Sequence, residues 1–285
     1  MPVSHLALAL AVVAVWGTNF VVIKWGLAEL PPFLLATLRF AMSSLPLLLF
    51  IRRPATAWWR LAAFGVLLGA GQFGLLFLAM KGDISPGLAS LVVQAQVFFT
   101  IAIHGHRMKP AQVGALALAV GGMAWIGWQA WRGGAGISPT GLFLVLSAAL
   151  CWAVANVVAR GAGKVDALGF MVWSSLFAVP PLVVLSVAFD GGAEVVAQAL
   201  AAAGPVAWAV VFWQAVGNTL FGYGAWNWLL ARHPPATVTP AALLVPVFGM
   251  GASALAFGES LPPWKLGAAG LVMAGLALNL WAASR

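Results

Sequence analysis

The chain alternates apolar runs, each long enough to cross a bilayer, with short polar breaks, and that pattern decides its solvent. Only 7% of its 285 residues are charged, while 63% are hydrophobic. A soluble domain carries about 25% charged residues. So few charges cannot cover a water-soluble fold of this size, and most of the surface must meet lipid. In lipid every backbone N–H and C=O must bond internally, and runs of this length do so as helices. The expected fold class is therefore an all-α polytopic membrane protein.

Setting a helix of roughly 20 residues against the polar breaks predicts ten spans. They cover residues 5–26, 32–51, 60–80, 85–104, 110–130, 139–160, 167–189, 205–230, 235–257 and 264–283. Pro31-Pro32, Pro110, Pro139, Pro205, Pro234-Pro235 and Pro262-Pro263 stand at helix starts, where a missing N–H matters least. The longest predicted connection runs from Asp190 to Gly204. The opening Met1-Pro2-Val3-Ser4-His5 has no basic region and no small-residue cleavage pattern follows, so the first run reads as a retained span. A single cysteine, Cys151, excludes an intrachain disulfide.

The net charge of +8 reads as a topology signal, because the basic residues sit between apolar runs. With a cytoplasmic N-terminus, the inside segments hold Arg52, Arg53, Arg60, Arg107, Lys109, Arg160, Lys164, Arg232 and Arg285. The outside segments hold only Lys24, Lys81, Arg132 and Lys265, and Arg39 lies within a span. Both termini are therefore expected in the cytoplasm of an inner-membrane protein. Nucleic acid is not an expected partner; the lipid bilayer is.

The two halves resemble each other. Gly105-His-Arg-Met-Lys-Pro-Ala-Gln-Val-Gly114 aligns with Gly258-Glu-Ser-Leu-Pro-Pro-Trp-Lys-Leu-Gly267. Trp16, Val21-Val22 and Lys24 align with Trp152, Val157-Val158 and Arg160, and Gln96-Val97-Phe98 with Pro246-Val247-Phe248. The common order of these matches points to duplication. Five spans per half is an odd number, so the second copy must insert upside down. The division is residues 1–130, a junction at 131–138, and residues 139–285. Inverted repeats of this kind place a substrate site between the halves.

Trp16-Gly-Thr-Asn-Phe-Val-Val-Ile-Lys24, Leu38-Arg39-Phe40, Gly87-Leu-Ala-Ser-Leu-Val-Val-Gln-Ala-Gln-Val-Phe-Phe99, Leu244-Val-Pro-Val-Phe248 and Gly258-Glu259 resemble the EamA family of the drug/metabolite transporter superfamily. The resemblance covers nearly the whole chain. It implies ten helices in two inverted five-helix repeats, a central cavity, and export of amino acids or related metabolites. The first repeat departs from the family's Gly-Glu-Arg-like turn: it reads Gly105-His106-Arg107, so the acid survives only as Glu259.

Polar groups inside lipid each need a reason. Trp16, Phe20 and Lys24 share one helix face, with Asn19 beside it, and Trp152, Asn156 and Arg160 repeat that geometry. Aromatic walls and amides of this kind could bind the apolar part and the carboxylate or amine of a small solute. The alternative is that the amides bond neighbouring helices and the tryptophans anchor at the interface. Gln72, Gln94, Gln214, Asn218 and Tyr223 join the candidate substrate-binding set. Lys24, Arg39, Arg160, Pro240 and Pro246 are the structural or gating candidates: snorkelling cations, a helix-end anchor, and kinks in the ninth span. Gly65-Val-Leu-Leu-Gly69 fits a close helix contact.

No acid falls near the middle of a predicted span. That favours neutral or zwitterionic amino acids as substrates, moved by facilitated diffusion or by a coupling route of another kind. Neutral drugs, sugars or nucleotide-linked metabolites are the alternative cargo. Phosphorylated cargo would call for several deep basic residues, and only Arg39 lies deep. No nucleotide loop, metal-ligand cluster or Ser/His/Asp set appears, so neither an enzyme nor a cofactor is expected.

Overall fold

The computed structural model describes residues 1–104, 109–133, 136–163, 165–233 and 235–283. The chain order is α1 (Val3–Glu29), α2 (Pro32–Ser44), α3 (Trp58–Gly82), α4 (Pro86–Ile103), α5 (Pro110–Trp131) and α6 (Pro139–Gly161). Then follow α7 (Ala167–Phe189), α8 (Ala193–Ala202), α9 (Pro205–Arg232), α10 (Thr239–Phe257) and α11 (Pro263–Ala283). Eight of these are each long and apolar enough to cross a bilayer, and α8 with α9, bent by 98°, passes as a ninth. Outward side chains such as Leu255, Phe143 and Val184 are exposed and apolar, as a lipid-facing surface requires.

Two elements differ from the sequence reading. The second span, expected over 32–51, is regular helix only over Pro32–Ser44, about 20 Å of rise. Pro46 carries no N–H, and the chain continues in turns through bonds such as Ile51 N to Leu47 O at 2.8 Å. The Asp190-to-Gly204 connection holds a ten-residue helix, α8, with no buried residue. Asp190 closes α7 and accepts from the Leu34 backbone N–H at 2.9 Å, which caps the free donors of α2.

Glycines set the closest approaches. α1 crosses α10 at Gly17, where a Cβ would come 2.6 Å from the Val245 carbonyl oxygen. Gly249 of α10 lies directly against Ser90 of α4. Gly65 and Gly69 lie on Ser174 and Ala178 of α7, so this pair does make a close helix contact.

The helices are not uniform. α3 widens to a π-helix over Leu67–Gly74, and α9 does so over Trp213–Phe221. α4 tightens to a 3₁₀ turn at Val93–Ala95, and a 3₁₀ turn at Thr239–Leu243 opens α10. Such segments often mark functional positions. α3 and α9 thus share a π segment, and α4 and α10 each contain a 3₁₀ turn.

Candidate functional site

α1, α3, α4, α6, α7, α9 and α10 surround a cavity of about 500 Å³. Its apolar wall includes Trp16, Phe20, Phe64, Phe73, Trp152, Phe170 and Met171. Its polar wall holds Asn19, Gln72, Gln94, Gln96, Asn156, Asn218, Tyr223 and Asn227. Among the described residues no charged side chain lines it. At one end the lining reaches the exposed Gly163 with Val165 and Ala167, between α6 and α7, and Leu230 near the end of α9. The N-terminus lies at this same end, because the His5 and His233 rings share a hydrogen bond of 2.7 Å. Toward the other end the lining stops at buried Ile23 and Leu76.

Part of the polar wall is already organised. Asn156 Nδ2 donates to Gln96 Oε1 at 3.0 Å, which joins α6 to α4. The Trp16 indole donates to the Asn218 carbonyl at 3.3 Å and packs within 5.4 Å of Tyr223. Gln72 is 3% exposed, and its Oε1 has no hydrogen-bond partner among the described residues. An orphaned buried acceptor at a cavity wall is what an incoming donor such as an ammonium group would satisfy.

Of the sequence candidates, Trp16, Asn19, Gln72, Gln94, Trp152, Asn156, Asn218 and Tyr223 line the cavity. Gln214 does not. It stands one layer behind, fully buried, with Nε2 donating to Asn19 Oδ1 at 2.8 Å. Gln214 and Asn218 both lie in the π-helical stretch of α9, where Gln214 is held by Arg39 of α2 and Asn19 of α1 while Asn218 reaches the cavity. The Thr219 hydroxyl accordingly donates to the Gln214 carbonyl, five residues back, at 2.9 Å.

Arg39 also stands behind the wall. Its Nη1 donates to Gln214 Oε1 at 2.9 Å and its Nη2 to Thr219 Oγ1 at 3.1 Å. Lys24 donates to the carbonyls of Met80 and Lys81 at 3.0 and 3.2 Å and so caps the end of α3. Arg160 is exposed near the end of α6. Pro240 sits in the 3₁₀ turn, and Pro246 is buried in α10. Phe64, Phe73, Gln96, Phe170, Met171, Trp226 and Asn227 also line the cavity, though they fall outside the sequence-based selection. Gln96 carried a signal, an amide within an apolar run; the large apolar residues carried none, since any core uses them.

Beyond Ile23 and Leu76, Lys24 lines a second pocket of about 460 Å³ with Asp83, Ser85, Ser253 and Glu259, and a polar cluster there joins three helices. The Glu259 carboxylate accepts from Lys265 Nζ at 2.9 Å, Ser85 Oγ at 2.5 Å, the Gly87 N–H at 3.1 Å, and Ser253 Oγ. It thereby ties the start of α4 to α10 and α11. Gly258, at φ +63°, makes the left-handed turn that aims Glu259 back at α4. Burial raises the Glu259 pKa, but the hydrogen bonds from Ser253, Ser85 and Lys265, with the Lys265 charge, outweigh it and hold the group below its ordinary range. Alongside, Ser138 Oγ donates to Asp83 Oδ1 at 2.8 Å, and Ser85 N–H to the Gly136 carbonyl at 2.7 Å.

The model of the EamA-like transporter family matches residues 3–128 and again residues 139–281. The chain belongs to the EamA-like transporter family. This transporter is 38% identical over 282 residues to a "Probable amino-acid metabolite efflux pump" of Salmonella typhimurium, covering 96% of this chain and 94% of the relative. It is 36% identical to the protein of the same description in Escherichia coli strain K12, with the same coverage. A "Probable terminal-alkyne amino-acid exporter" of Streptantibioticus cattleyicolor is 26% identical, covering 95% of this chain and 91% of the relative. A solved crystal structure superposes with a TM-score of 0.62 at 20% identity, covering 96% of this chain and 95% of that one, which establishes a shared fold. The protein is thus a multi-pass inner-membrane transporter of small molecules and not an enzyme.

Proposed function

We propose that this transporter exports neutral or zwitterionic amino acids and related metabolites, which it carries by alternating access through the amide-and-aromatic cavity. The observation that carries the reading is a cavity that reaches exposed residues at one end, stops at buried Ile23 and Leu76 at the other, and is lined by amides and aromatic rings with no charged group among the described residues. Its volume of about 500 Å³ falls within the range of roughly 300–1,000 Å³ typical of small-molecule sites. Phe64, Phe73, Phe170 and Met171 would hold an apolar side chain. Gln72 and Gln94 would take the ammonium group, and Asn19 and Asn156 the carboxylate. A phosphorylated cargo would find no cation on this wall. The printed descriptions of the relatives agree with amino-acid export.

The finer architecture follows the same reading. Ten spans form two inverted five-helix repeats, 1–130 and 139–285, with α2 as the shortest crossing and α8 lying along the membrane surface. The double family match and the paired π and 3₁₀ segments support that duplication. With both termini in the cytoplasm, the open end faces the cytoplasm and the Glu259 cluster seals the outside. An exporter loads in that state and releases after the ends exchange.

The test is a competition panel in proteoliposomes, with labelled leucine, methionine, phenylalanine, threonine and cysteine against sugars and nucleotides. Amino acids should compete with one another, and Asn156→Ala or Gln94→Ala should slow flux without loss of folded protein. Carriage of a sugar or nucleotide with no amino-acid flux would overturn the reading.

A further inference from the structure

Among the described residues, Arg39 is the one cation placed deep among the spans, and it lies beside the cavity. It is 0% exposed. Its Nη1 and Nη2 reach only neutral acceptors, Gln214 and Thr219, and its Nε has no partner among the described residues. The acids are all engaged elsewhere or at helix ends. Glu259 pairs with Lys265, Asp190 caps α2, Asp166 caps α7, Asp83 bonds Ser138, Glu194 bonds Gln198, and Glu29 is exposed at the end of α1. A guanidinium keeps its charge through the physiological range. No carboxylate among the described residues neutralises this one.

That charge reaches the cavity by two routes. Arg39 Cζ lies 3.6 Å from the centroid of Phe73, and the same ring forms part of the cavity wall. The cation thus stacks on a residue that lines the cavity. The second route is a chain of amides. Gln214 Oε1 accepts from Arg39 at 2.9 Å and from Asn19 Nδ2 at 3.4 Å, and Gln214 Nε2 donates to Asn19 Oδ1 at 2.8 Å. With its oxygen and one N–H engaged by Gln214, Asn19 keeps its second amide N–H for the cavity, which is the group a carboxylate seeks. In a medium of low dielectric constant a unit charge acts over several ångströms, so the field and the oriented amide favour the same ligand group.

We infer that Arg39, through Gln214, Asn19 and Phe73, makes the cavity select solutes that bear a carboxylate and reject amines that lack one. Arg39 is a positioning residue, since it touches no substrate. The inference rests on the amino-acid reading above. It adds that the cavity discriminates an amino acid from its amino alcohol, although both present the same side chain and ammonium group.

The experiment compares each of the five panel amino acids with its own amino alcohol as competitor in proteoliposomes. The wild type should require at least about tenfold more amino alcohol for equal inhibition. Arg39→Gln removes the charge. Gln214→Glu keeps Arg39 and places a carboxylate against its Nη1, which cancels the field from within. Both should collapse the ratio toward one in protein that remains monodisperse, while Arg39→Lys preserves it. A merely structural role would lower flux and leave the ratio unchanged. A ratio near one in the wild type overturns the inference without any variant, and so does an unchanged ratio in either folded variant. Absence of all amino-acid flux would instead remove the amino-acid reading, and this inference with it.

Discussion

Glu259→Gln is expected to open the sealed end. The carboxylate is 9% exposed and its partner Lys265 only 1%, so the pair is largely desolvated. Breaking a buried ion pair by neutralising one partner costs about 3–5 kcal/mol. Glutamine can keep part of the bonding to Ser85, Ser253 and Gly87, and Lys265 keeps the Ser260 carbonyl at 2.8 Å, so the lower figure applies. If the cluster forms only while this end is shut, the loss falls on that state alone. About 3 kcal/mol is then a shift of roughly 150-fold in the balance between sealed and open.

Leu76 is a suitable reporter, because it lines the cavity nearest the seal and is 1% exposed. On a Cys151→Ala background, Leu76→Cys would be labelled with a membrane-impermeant maleimide from the side of Glu259. Labelling should rise at least about tenfold when Glu259→Gln is added. Equal labelling with and without Glu259→Gln, in folded protein, would refute the sealing role.

The same group sets a pH window. Its folded pKa lies below the ordinary 4.5, so its contribution is complete above 4.5 and is lost as pH falls through the folded value. Maleimide labelling of Leu76→Cys should therefore stay flat from pH 7 to about pH 5 and rise only under stronger acid. Gln72→Leu should raise the melting temperature in detergent, by removing an orphaned buried acceptor that costs about 1–3 kcal/mol, yet weaken amino-acid competition. A variant that melts higher and transports normally would clear Gln72 from the site. Gly249→Val should destabilise the fold by about 1–3 kcal/mol, read as a lower melting temperature, because its side chain would overlap Ser90. Amino-acid flux should persist when the pH gradient alone is collapsed, since no carboxylate among the described residues lines the cavity; abolition of flux would contradict that.

The membrane class was legible because lipid admits few charges, and the stripes were legible where helices are regular. Trp16, Asn19, Trp152 and Asn156 reach the cavity from α1 and α6, whose 3.6-residue period holds through these positions. The reading failed where distant partners decide which way a side chain turns. Gln214 turns from the cavity because Arg39 and Asn19, 175 and 195 positions away in the chain, engage its amide. The Asp190 cap on α2 and the Glu259 hold on α4 join residues 156 and 172 positions apart, which no local spacing encodes. α8 escaped notice because its ten residues are too few to span, so length-based reading leaves them as connection. Arg39 was seen as deep but not as uncompensated, since pairing is a property of three-dimensional neighbours.

A structure of the transporter with a saturating panel amino acid would show where the cargo rests. The account predicts density inside the cavity, its ammonium group against Gln72 Oε1 and its carboxylate on the side of Asn19 and Asn156. Density held at another surface, with the cavity unchanged, would contradict it.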